Sequence, residues 1–125
     1  MSLDVRAYFR DTGGNLCLPD LPDGLSTLAG GEDTRRSLWS APVVRALGAT
    51  YLPRLADDNL FIPYEETGPF LRECALLLMN LPAVAAGVRL QPTAEANEWY
   101  VERNIVNVIA VTHWARGNDY GVLIW

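Results

Sequence analysis

The chain has no lysine. All ten of its basic residues are arginine, set against fifteen Asp and Glu and a single histidine, for a formal charge of −5 over 125 residues. Without lysine there is no side-chain amine for a Schiff base and no lysine to hold a nucleotide phosphate. The net negative charge opposes nucleic acid, whose binding needs several phosphate-neutralising side chains. Cysteine is nearly absent too. Cys17 and Cys74 lie far apart, with no Cys-x-x-Cys pair, so neither a disulfide framework nor a zinc motif is written here. No long apolar run exists: Ala75–Met79 and Ile105–Val111 are too short or too interrupted to span a bilayer. Residues 1–10 are too polar for a secretory h-region, which predicts a soluble, cytoplasmic protein with reduced thiols.

What is present suffices for a core. Half the residues are hydrophobic, and four Trp, five Tyr and three Phe supply bulky groups to bury. The length predicts one globular domain over residues 1–125. Alternation over Leu3–Phe9 predicts a strand, and Asp11-Thr12-Gly13-Gly14-Asn15 a turn returning into Leu16-Cys17-Leu18 as a hairpin. Asp20–Thr34 reads as a long loop. Ser40 is expected to cap a short helix, Leu60–Ile62 to form a brief strand, and Thr67 to cap a Leu-rich helix stopped by Pro82. Val88–Leu90 reads as a further short strand. Thr93 is expected to cap the longest helix, Ala94 to Ala115, about 33 Å long, with Val101, Ile105, Val108, Ile109 and Thr112 as its core stripe. Tyr120–Trp125 closes the chain as a strand. The fold class expected is α+β: a small antiparallel sheet from an N-terminal hairpin and a C-terminal strand, packed with two longer helices.

No catalytic centre is written in the residues. His113 is the only histidine, no Gly-x-Ser-x-Gly elbow occurs, and a histidine at a helix C-terminus is explained by the dipole. Asp57-Asp58-Asn59 lacks the rest of a calcium loop. Gly13-Gly14 lacks the pattern of a phosphate loop. Paired carboxylates are plentiful, at Asp57/Asp58, Glu65/Glu66 and Glu95, Glu98 and Glu102, but general acid–base work needs one of them in an apolar pocket. A solvated acidic face is the default. No metal site and no cofactor are expected. The long helix carries a second stripe, Trp99, Arg103, Asn107, Ala110 and Trp114, spaced 4, 4, 3 and 4 along one face. Two tryptophans flanking an arginine have hot-spot composition. The competing expectation, favoured on composition, is that both tryptophans are core and Arg103 snorkels out.

From Leu38 to Asn80, the segments Ser37-Leu38-Trp39-Ser40, Val44-Arg45-Ala46-Leu47-Gly48-Ala49 and Leu52-Pro53-Arg54-Leu55-Ala56-Asp57, then Leu60-Phe61-Ile62 and an acidic approach to a Leu-rich helix, resemble small immunity proteins of bacterial polymorphic toxin systems. The resemblance covers about a third of the chain and transfers no functional residue. It implies a non-catalytic protein that blocks a cognate protein toxin by covering its active site. The toxin's surface is basic in the charge-complementary case, and neither nucleic acid nor membrane is a partner. Asp57, Asp58, Glu65 and Glu66 are the candidate contacts, with Trp99, Arg103 and Trp114 as anchors. Two alternatives stand beside it: a small-ligand binder or enzyme with residues 20–34 covering a pocket near Glu102 or His113, and a structural homodimer burying the Trp-bearing helix face.

Overall fold

The structure, a computed structural model, describes every residue from Met1 to Trp125. It is α+β. Strand β1 (Ser2–Arg10) is its axis: Leu3, Val5 and Ala7 are fully buried, whereas Asp4, Arg6 and Tyr8 between them are only partly so. That alternation is the period-2 signature of a sheet with one face on the core. The Asp11 carboxylate accepts the backbone N–H of Gly13 and Asn15, each at 2.9 Å, and Gly14 takes φ +79°. This turn returns the chain into β2 (Leu16–Cys17), with Cys17 opposite Phe9. Strand β3 (Leu28–Gly31) joins the same side of β1 nearer its start, placing Leu28 opposite Asp4. On the other side lies β5 (Gly121–Ile124), and β4 (Leu60–Ile62) pairs outside it. All four pairings are antiparallel.

Four helices accompany the sheet: α1 (Pro42–Ala46), α2 (Thr67–Met79), α3 (Leu81–Ala86) and α4 (Ala94–Gly117); α4 packs on the strands, α2 and α3 pack on α4, and α1 on α3. Thr93 caps α4 as its sequence predicts, its hydroxyl accepting the Ala96 N–H at 3.1 Å. Val101, Ile105, Val108, Val111 and Ala115 form the buried stripe of α4, which packs against the sheet and against α2 and α3.

Several local expectations give way to longer-range partners. Residues 20–34 are not all loop, because β3 lies within them. Its outward groups are satisfied by side chains: Asn107 donates to the Leu28 carbonyl at 3.0 Å, Trp39 Nε1 to that of Ala29 at 3.0 Å, and the Gly31 N–H donates to the Tyr100 hydroxyl at 3.2 Å. Ser40 is not the cap of α1; Ala41 holds that place and Pro42 follows at the first turn. Thr67 lies inside α2 rather than capping it, and its hydroxyl donates back to the Tyr64 carbonyl at 2.7 Å. Pro82 ends nothing. It sits in the first turn of α3, where its missing N–H has no intrahelical acceptor to lose. Val88–Leu90 is not a strand, because buried Asn97 takes its hydrogen bonds. The Asn97 amide donates to the carbonyls of Ala85 (2.9 Å) and Val88 (3.1 Å), and its oxygen accepts the N–H groups of Leu90 (2.7 Å) and Gln91 (3.1 Å).

Two further ties fix the connections. The buried Glu73 carboxylate on α2 accepts the N–H groups of Thr50, Tyr51 and Leu52, at 2.6 to 3.1 Å. It thereby caps the 3-10 turn Leu52–Ala56. Arg35, in the π-helical turn Arg35–Trp39, donates to the carbonyls of Leu55 (3.3 Å) and Asp58 (2.8 Å) and to the Asn59 side chain (2.7 Å).

Candidate interaction surfaces

The helix-face stripe divides. Trp99 is 63 % exposed, and the Arg103 guanidinium lies 5.8 Å from its ring centroid. Asn107 is buried, bound to Leu28. Trp114 is half-buried, 5.8 Å from the Tyr120 ring, which stacks in turn on Phe9 at 5.3 Å. Fifteen positions separate the two tryptophans, about 22 Å along the helix, so they are not one anchor. Trp99 stands between two open concavities. One, of about 400 Å³, is lined by Thr93, Glu95, Ala96 and Trp99; the other, of about 90 Å³, by Trp99, Glu102, Arg103 and Val106. Glu95, Glu98 and Glu102 are all exposed beside it.

The four acidic candidates flank β4 from its two ends. Asp57 and Asp58 are exposed on the turn braced by Arg35. Because Arg35 holds that turn chiefly through carbonyls, the two carboxylates are presented to solvent without forming an ion pair; the one ion pair in the molecule joins Arg35 to Glu32. Glu65 is exposed, whereas Glu66 accepts the Tyr51 hydroxyl at 2.9 Å. Burial raises the Tyr8 hydroxyl above its ordinary pKa, with Arg10 opposing the shift and the Glu65 and Glu66 charges adding to it. The charges of these two acids thus reach Tyr8 on the sheet.

The concavity at His113, about 320 Å³, is lined by Tyr64, Arg116 and Gly117, and no residue of 20–34 lines either it or the one at Glu102. No group of three or more His, Cys, Asp or Glu is arranged to hold a metal ion. The Cys74 thiol is fully buried, and burial followed by the neighbouring Glu73 charge pushes its pKa up, away from thiolate chemistry. No helix is long and apolar enough to cross a membrane.

The uncovered face of the sheet is the feature that the linear reading missed. It carries Tyr8 and Phe61 in edge-to-face contact at 5.4 Å, with the Arg10 guanidinium 5.8 Å from the Phe61 ring. A signal existed in β5: Val122-Leu123-Ile124 is apolar on both faces, as in strands covered twice. No protein-family model, curated protein or solved structure matches the chain.

Proposed function

We propose that this is an immunity-type binding protein that neutralises a cognate toxin enzyme by protein–protein contact. The exposed Trp99–Arg103 pair on α4 carries the reading. Tryptophan and arginine dominate interface hot spots because they join large desolvable area to directed donors. A tryptophan displayed on a 24-residue helix whose other side is packed costs little ordering on binding. Carboxylates without ion-pair partners surround it at Glu95, Glu98 and Glu102, and Asp57 and Asp58 add two more on a braced turn. An enzyme acting on an anionic substrate gathers basic groups at its active site, and such a surface would steer onto it. The resemblance over residues 38–80 points the same way.

The test is capture from lysate of the protein's own source, followed by assay of what is captured. The expected result is one stoichiometric enzyme whose activity disappears on adding an equimolar amount of this protein. Trp99→Ala with Arg103→Ala should weaken that complex about 30-fold or more, the usual loss at a hot spot. A captured enzyme that stays active at saturation, or a double variant that binds as tightly as the parent, overturns the reading.

A further inference from the structure

An antiparallel sheet covered on one face ordinarily shows polar side chains on the other. Here strand alternation and register place Leu28, Asp4 and Trp125 in one row across the uncovered face. Arg6, Leu123 and Phe61 form the next row, Tyr8 and Gly121 a third, and Leu16 and Arg10 a fourth. Leu16, Leu28, Phe61 and Trp125 are each 37 % to 41 % exposed, so four of the ten exposed large hydrophobics gather on this face. Leu123 is fully buried among them and lies outside the main core cluster.

We propose that this face is a dimer interface whose occupant is the same face of a second copy of the chain. Two sheets with apolar inner faces pack about 10 Å apart, as in a sandwich. The charges are self-complementary. Asp4 and Arg6 sit side by side on β1 yet form no ion pair within the chain, and the Arg6 Nε is buried with no acceptor. A two-fold axis through the face sets Asp4 of each copy against Arg6 of the other, the reciprocal pattern of an isologous interface.

Association by strand addition is hindered at β3 and β4. Side chains of α4 and Trp39 occupy the outward groups of β3. At β4 the register leaves Phe61 alone with its N–H and C=O turned outward, and Pro63 follows it. Four strand positions averaging between five and six residues project on the order of 350 Å². A standard stable interface covers roughly 800 Å² a side and a permanent one more, so the dimer is a weak, concentration-dependent one. Single-stranded nucleic acid also uses aromatic sheet faces with arginines. Two arginines on a chain of charge −5 neutralise too few phosphates to favour it.

Sedimentation velocity across the micromolar range decides the matter. The expected result is a shift from one chain to two as concentration rises. Phe61→Arg should raise the dimer dissociation constant about tenfold or more, with unchanged circular dichroism and melting. Asp4→Arg should do likewise, and Asp4→Arg combined with Arg6→Asp should restore association. Trp99→Ala, on the helix face, should leave the dimer intact, which separates this outcome from the fate of the toxin-binding reading. A single chain at every concentration, a dimer that survives Phe61→Arg, or saturable binding of an oligothymidylate abolished by Phe61→Arg overturns the proposal.

Discussion

Glu73 holds three backbone amides with one buried carboxylate, and nothing near it in sequence announces the role. Its partners lie more than twenty positions upstream. Removing it with Glu73→Ala leaves three N–H groups at the start of the Leu52–Ala56 turn without acceptors, at a cost of about 3 kcal/mol. Glu73→Gln keeps one good acceptor and should cost about half that. Urea unfolding followed by tryptophan fluorescence measures both, and equal stability of Glu73→Ala and the parent would remove the capping role. Asn97 was invisible in the same way: an asparagine near a helix N-terminus reads as ordinary until its four hydrogen bonds across residues 85–91 are seen. The exposure of Trp99 was equally unreadable, since its stripe shares a helix with the core stripe and composition favoured burial.

Elements were legible where periodicity is local. β1, the hairpin turn, β4, α2, α4 and β5 all follow from alternation, 3.6-residue spacing and turn chemistry, and the α+β class with them. β3 was not, because Gly30 and Gly31 read as loop and its stabilising partners come from Trp39, Tyr100 and Asn107. Gly30 is needed there: it takes φ +108°, and a Cβ would lie 2.7 Å from the Thr34 side chain. The hairpin carries a pH prediction. The Asn15 N–H, then the Asn15 side-chain amide, hold the Asp11 carboxyl below its ordinary range; desolvation opposes them, and the Gly13 N–H adds the smallest contribution. A depressed folded pKa means that the contribution is full above the unfolded value and is lost as pH falls through the folded one. The amide proton resonances of Gly13 and Asn15 should therefore titrate together, with a midpoint below the ordinary value of about 3.9. A midpoint at or above that value would show that the carboxylate does not brace the turn.

At the scale of the whole molecule, twenty-five charged residues make a single ion pair, between Glu32 and Arg35. The acidic field is thus left almost entirely for solvent or a partner. Association with a basic partner should slow about tenfold between low and physiological salt while dissociation hardly changes, because screening acts on the approach. Reversing charge at Asp57 and Asp58 should slow association in the same sense. Stopped-flow or surface-based kinetics resolve the two rates, and an association rate indifferent to both salt and charge reversal excludes electrostatic steering. Of the candidate contacts, the sequence could name the acids and the Trp–Arg pair but not sort them into separate surfaces, since that depends on where the register of β4 and the rotation of α4 put them. The finish of β3 has one more effect. A strand finished by the side chains of Tyr100 and Asn107 is a poor template for another backbone, and one outward residue on β4 is too short a seam for one. Growth into filaments by backbone pairing is thereby discouraged along these two strands, in a chain whose sheet face is aromatic.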